Sequence, residues 1–156
     1  MDAIITRVHA FERCTLSFDG DVLTLEPIGE VVAGPDDSKM LLEVAAMITG
    51  NQPHYVLADL RNVIIHTTVD SRERIAAHPF NNQKLAYAFV VDSTAQRLLI
   101  RFMVNFYDLK VPVKLFCTKE EALAWIMELK IRNRQDKAHA DHLNADSLVT
   151  EELVAH

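Results

Sequence analysis

The sequence predicts an α/β domain: a mixed sheet of four to five strands, opened by an N-terminal hairpin and accompanied by about four helices. Two observations carry most of this. Residues 84–129 run strand, helix, strand, helix with almost no slack, as KLAYAFVVD, STAQRLLIRFMVNFYDL, KVPVKLF and CTKEEALAWIMEL. Short apolar runs that feed directly into long amphipathic helices argue for parallel strands with helices packed on them. Upstream, Cys14, Leu16 and Phe18 alternate with Thr15, Ser17 and Asp19, Gly20-Asp21 makes a turn, and Val22, Leu23, Leu25 and Ile28 follow. That is a hairpin pattern.

Each element has a local reason. Pro27 and Gly29 end the hairpin or push its second strand to an edge. Asp36 or Asp37 then caps a helix whose Leu41, Val44, Ala45 and Ile48 fall at i, i+3, i+4 and i+7, a single buried stripe. Gly50-Asn51 supplies its stop. After Pro53, HYVLADL is too short for a helix and follows a breaker, so it reads as a strand. Residues 61–69 are β-branched and polar with no clear period. Asp70-x-x-Glu73 has the form of a capping box for a short helix ending near His78-Pro79. Asn81-Asn82 is a turn, and LAYAFVV suits a central strand covered on both faces. Ser93 is placed to cap the long helix, and Thr118-x-x-Glu121 is a capping box for the next. That helix places Ala122, Trp125, Ile126 and Leu129 on one side. The domain is expected over residues 1–131, with 132–156 a polar, partly helical tail.

Bulk properties exclude several classes. A chain of 156 residues suits one domain. Its formal net charge of −6 gives no support to a nucleic-acid or anionic-membrane partner. No apolar run approaches the ~20 residues needed to span a bilayer. The opening MDAIITRVHA lacks a long apolar stretch, so a secretory leader is not expected. Two cysteines, Cys14 and Cys117, form no CxxC pair, which suits a reduced, cytoplasmic setting. With four glycines and no phosphate-binding loop, no G-x-S-x-G and no H-E-x-x-H, neither a cofactor nor a resident metal is expected.

The long helix over 95–109 carries more apolar surface than sheet packing needs. Ala95, Leu98, Leu99, Phe102, Phe106 and Leu109 form one stripe, read as the core face. Ile100, Met103, Val104 and Tyr107 extend the apolar arc to roughly twice the ~100° that a surface helix requires. The excess is covered by neighbouring chain, forms a homodimer seam, or lines a site for an apolar ligand.

Other residues have candidate chemistry beside a plain structural role. Asp59 and Asp92 close two strands at the carboxyl edge, where open α/β sheets bind ligands, and paired carboxylates there suit Mg²⁺. Alternatively Asp59 pairs with Arg61 and Asp92 starts the next helix. Ser71, beside Asp70 and flanked by Arg72 and Arg74, is placed for a phosphorylation switch at a helix N-terminus, or is an ordinary cap. His139 and His142, with Asp136 and Asp146, have helical spacing on the tail, suited to weak metal binding or to a solvated face. Cys117 reads as a packing residue near a helix N-terminus. His54, His66 and His78 have no evident local partners.

Several of these segments together point to a relative. Asn105-Phe106, Pro112-Val113-Lys114-Leu115-Phe116 and Glu120-Glu121-Ala122-Leu123-Ala124-Trp125-Ile126 resemble the C-terminal signature of small bacterial STAS/SpoIIAA-like proteins. YVLADLRNV is similar to the strand before that family's switch loop. The resemblance covers roughly residues 11–131 and rests mostly on packing residues. It implies helices predominantly on one face of the sheet and a regulatory or binding role exercised through protein–protein contact, not catalysis. It also implies that Ser71 is the nearest match to the phosphorylatable serine of the anti-sigma-factor antagonists. The chain departs from them in a longer loop over 61–69 and in Arg72-Glu73-Arg74, which replace small residues. Some relatives bind lipids, which would use the apolar arc of the long helix. The readings carried forward are a homodimeric binding domain, an apolar-ligand carrier, and a metal-dependent enzyme using Asp59 and Asp92.

Overall fold

The computed structural model describes residues 7–11 and 13–154, with side chains over 13–147. Its elements are β1 (Arg7–Phe11), β2 (Cys14–Phe18), β3 (Val22–Pro27), β4 (Gly29–Ala33), α1 (Pro35–Thr49), β5 (His54–Asp59), β6 (Val63–Thr67), α2 (Val69–Ala77), a 3₁₀ turn (Pro79–Gln83), β7 (Lys84–Val90), α3 (Thr94–Phe106), β8 (Val113–Phe116) and α4 (Lys119–Val154). The chain divides into two compact units, Met1–Ala122 and Leu123–His156.

The first unit is built on a mixed sheet in the order β1-β2-β3-β5-β7-β8. The expected hairpin is β2–β3, and β1 adds one more antiparallel strand at its outer edge. The hairpin turn rests on Gly20, whose φ of 102° suits glycine. The Asp19 carboxylate accepts from the Asp21 and Val22 N–H groups at 2.9 and 2.8 Å. β3 is not an edge strand, because it pairs in parallel with β5 on its other side. Pro27 falls at its last position, where the missing N–H costs no internal ladder bond.

From β3 the sheet is parallel through β5, β7 and β8. Each step moves the same way across the sheet. Right-handed crossovers therefore place α1, α2 and α3 on one face, the arrangement the family resemblance implies. On that face Leu16, Phe18 and Leu23 pack with Leu42, Ala45 and Ile48 of α1 and with Phe80. The opposite face is buried at Leu57, Ala86, Ala88 and Val90. β5 is thus buried on both faces, which explains its continuous apolar run.

A second, two-stranded parallel sheet pairs β4 with β6. The β-branched residues over 61–69, which have no clear period, form β6 because β4 supplies a partner. Their outward positions, Val32 and Ile64, are exposed beside a Glu30–His66 hydrogen bond at 2.8 Å.

Helix ends are chemically explained. α1 starts at Gly34 and not at an aspartate: Pro35 takes the first helical position, and the Asp37 carboxylate accepts the Gly34 N–H at 3.0 Å. It stops at Gly50, which is left-handed with φ 63°. α2 is capped by Thr68, whose hydroxyl accepts the Ser71 N–H at 3.1 Å, in place of the Asp70 box. Ser93 and Thr118 cap as the sequence predicts, accepting from Gln96 and Glu121 at 3.1 and 3.2 Å.

The second unit is helix up to Val154. Ile126 and Leu129 are buried and Trp125 partly so, whereas 131–147 are exposed throughout. The expected polar tail stays helical because 119–154 contains neither proline nor glycine. A helix polar on all sides is a solvated one.

Removing the most buried side chain of β5 tests this layering. Leu57→Ala should cost about 2–5 kcal/mol by urea unfolding, whereas exposed Leu98→Ala should stay within about 0.5 kcal/mol of wild type.

Candidate functional site

Three parallel strands end at one edge, and the polar side chains gather there. β5 ends at Asp59, β7 leads to Asp92, and β8 leads to Cys117 and the start of α4. The Asp59 carboxylate is held by both arms of Arg61, with Nε to Oδ1 at 3.0 Å and a terminal guanidinium nitrogen to Oδ2 at 2.8 Å. This Arg61 hydrogen bond keeps the Asp59 carboxyl below the usual carboxylate range, against a smaller opposing effect of burial. Asn62 follows in a left-handed conformation with φ 57°, and its N–H is accepted by Asp92 at 3.2 Å. At the end of β3, Glu26 forms an ion pair with Lys119 at 2.6 Å. Glu26, Pro27, Asp59, Arg61 and Asn62 line an open polar cleft.

Gln96 locks α3 to this edge. Its Nε2 donates to the carbonyls of Leu60 at 2.6 Å and Val63 at 3.0 Å, while its Oε1 accepts the Asp92 N–H at 3.3 Å. Arg97, one residue on, donates to the exposed Cys117 Sγ at 2.8 Å. Cys117 is therefore a solvent-facing thiol beside a guanidinium, and not the packing residue the sequence suggests. Cys14 is the shielded one, with burial pushing its thiol up to about 11.

The structure brings Asp59 and Asp92 to the same edge but gives each its own donor. The Asp59 oxygens are both engaged by the Arg61 guanidinium, the structural alternative the sequence offered for that residue. Among the described residues no group of three His, Cys, Asp or Glu side chains could hold a metal ion. On α4, His142 pairs with Asp146 at 3.5 Å. His66 pairs with Glu30, and His54 and His78 lie beneath and beside Phe80. The pairing of Asp59 with Arg61 is the alternative the sequence offered; Glu26, Lys119 and Gln96 were missed by sequence reasoning. Their signal is positional, since each directly follows or precedes a strand end or a cap.

Ser71 lies in the interior. It is 0% exposed, and its hydroxyl contacts that of Ser38, itself buried on α1. Both hydroxyls reach the Gly34 carbonyl, at 3.3 and 3.0 Å. The two serines tie the start of α2 to the start of α1. A phosphoryl group at Ser71 has no room without parting the helices, so the geometry makes this residue a fastener, not an accessible switch.

The faces of α3 are the reverse of those the sequence suggests. Ile100 is 6% exposed, and Met103, Val104 and Tyr107 are half-buried. Leu98, Leu99, Phe102 and Phe106 instead face solvent, at 62%, 49%, 60% and 64% exposure. The rotation follows from Gln96: fixing its amide on the Leu60 and Val63 carbonyls turns the 96–100–103–107 stripe inward.

The mixed sheet, its one-sided crossovers and its polar carboxyl edge define a SpoIIAA-like α/β fold. It is similar to the crystal structure of an uncharacterised DUF3478 protein with a SpoIIAA-like fold from Shewanella loihica PV-4, with a TM-score of 0.52 and 13% identity over 78% of this chain and 91% of that one. The chain belongs to the DUF7793 family, a domain of unknown function, whose model matches residues 16–130. A comparison with curated proteins gives no match.

Two substitutions test the site. Ser71→Asp should destabilise the fold by about 3 kcal/mol or more, since it buries an unpaired charge; thermal unfolding reads this directly. The Asp59 carboxyl titrates lower folded than unfolded, so its contribution is full above the ordinary carboxylate value and fades as pH falls through the folded one. Asp59→Asn should flatten the acid limb of the stability curve below about pH 4.

Proposed function

We propose that this domain is a non-enzymatic binding module of the STAS/SpoIIAA-like type, working through protein–protein contact on the outer face of α3, with a homodimer as the form it takes first. The observation that carries this reading is the row of Leu98, Leu99, Phe102 and Phe106, all exposed on one helix. Phe102 and Phe106 stack on each other at 5.6 Å, forming a continuous apolar ridge. Such patches on a folded domain mark interaction surfaces. The interface role assigned from sequence to Ile100, Met103, Val104 and Tyr107 passes to these four, because the first set faces inward. The cleft at the carboxyl edge is open and polar, so it offers nothing to the apolar-ligand reading.

The paired charges at that edge support a non-catalytic role. Asp59, Glu26 and Asp92 are each engaged by another group of the domain, so none is poised for proton transfer. Among the described residues, no helix is long and apolar enough to cross a membrane.

Sedimentation velocity at micromolar concentration should show a dimer. Phe102→Glu should give a folded monomer, with an unfolding midpoint that no longer depends on protein concentration. A wild-type chain that stays monomeric at every concentration tested would overturn the homodimer.

A further inference from the structure

Phe80 is buried in the 3₁₀ turn between α2 and β7 and belongs to the core against Phe18, Leu42 and Ile48. Two histidines hold it from different sides. The His54 ring stacks on the Phe80 ring at 5.1 Å and 26°, with Phe18 edge-on to His54 at 6.2 Å. The His78 Nδ1 accepts the Phe80 backbone N–H at 3.1 Å and so caps the turn.

The two contacts select opposite tautomers of the neutral ring. His54 Nδ1 lies 2.8 Å from the Gln52 carbonyl and must carry the proton. Its Nε2 is then a bare acceptor, buried and without a partner among the described residues. His78 must keep Nδ1 unprotonated to accept from Phe80. We propose that His54 and His78 form an acid-released latch on Phe80, which opens the Pro79–Gln83 turn when both imidazoles take up protons.

The chemistry at each ring supports this. A proton on His54 Nε2 creates a buried donor with no acceptor and a charge with no counter-ion. A proton on His78 Nδ1 turns the acceptor of the Phe80 N–H into a second donor. The groups facing His54 do not compensate. Lys84 of β7 lies over the Phe80 ring at 5.3 Å and over Tyr87 at 5.2 Å, a like charge. Tyr87 donates to Asn81 at 3.5 Å, and neither Phe18 nor the Gln52 carbonyl carries a charge. Burial holds the His54 imidazole below its ordinary value, against the opposing hydrogen bond to the Gln52 carbonyl and with a smaller contribution from Lys84. Burial also pushes the Lys84 ammonium down to about 8, so Lys84 is charged already before the imidazoles titrate. The sign is therefore fixed. Through His54 the latch is closed above that ring's ordinary value near 6.5 and is lost as pH falls below it.

Opening would expose Phe80 and the part of the sheet face it covers, and would free Asn81, whose side chain donates to the Ala76 carbonyl at 3.0 Å and holds the end of α2. Native-state hydrogen exchange of the full chain between pH 7.5 and 5, corrected for the intrinsic pH dependence of exchange, tests the latch. The protection of the Phe80 amide should fall by between about one and two decades per pH unit below about pH 6.5, the slope counting the protons taken up. His78→Asn keeps a capping oxygen but cannot titrate, and should reduce the slope to about one decade or less. Adding His54→Phe should abolish it. If the double variant does not fold, the wild-type ring signals decide by NMR: His54 should stay unprotonated while Phe80 is protected. Overturning results are constant Phe80 protection down to pH 5, or a His54 ring that titrates at its ordinary value inside an intact core.

Discussion

The structure depends on the burial of β5 on both faces. A strand covered above and below cannot end in a hairpin at both sides, and its neighbours β3 and β7 run parallel to it. Parallel pairing requires crossovers, and their handedness sends three helices to the same side. It also brings the strand ends to one edge. Asp59, Glu26, Asp92 and the starts of α3 and α4 are near each other for that reason, with no need for a catalytic purpose. Of the charges that gather there, Asp59 and Glu26 are paired with Arg61 and Lys119, and Asp92 accepts the Asn62 N–H.

Much of this was legible in the sequence because the signals are local. The hairpin, β5, β7, β8, the caps at Ser93 and Thr118, and the Gly50 stop all follow from patterns of a few residues. The pairing of β4 with β6 was not legible. Neither strand has a clean alternation, and their partnership joins segments more than thirty residues apart. Thr68 was missed because Asp70 and Glu73 present a better-looking box two residues on. The tail from 132 reads as partly helical; the full extent of the helix to Val154 was not legible, because the segment lacks an apolar stripe, although nothing in it breaks a helix.

The reversal of α3 is the most instructive case. Periodicity picks the face of Leu98, Leu99, Phe102 and Phe106, and the structure buries the neighbouring stripe instead. The choice is made by Gln96, a polar residue at the first turn, which finds two backbone carbonyls in the β5–β6 connection. These hydrogen bonds, worth about 1 kcal/mol each, accompany the inward turn of Ile100, Met103, Val104 and Tyr107 in place of the stripe that periodicity favours. Likewise, Ser71 is flanked by charged residues in the sequence, yet the meeting of two helix starts buries it. In each case a hydrogen bond between distant segments overrode the local pattern.

The β4–β6 ribbon has a consequence in folding time. Its strands continue β3 and β5 beyond the edge of the main sheet, and two strands alone are marginal in water. Once β3 and β5 have paired, the long loop between them is already closed, and the ribbon can zip onward with little further entropic cost. It is therefore a late addition to the fold and the first pairing to fray. The domain carries a segment whose order reports on the central strands without contributing to their formation.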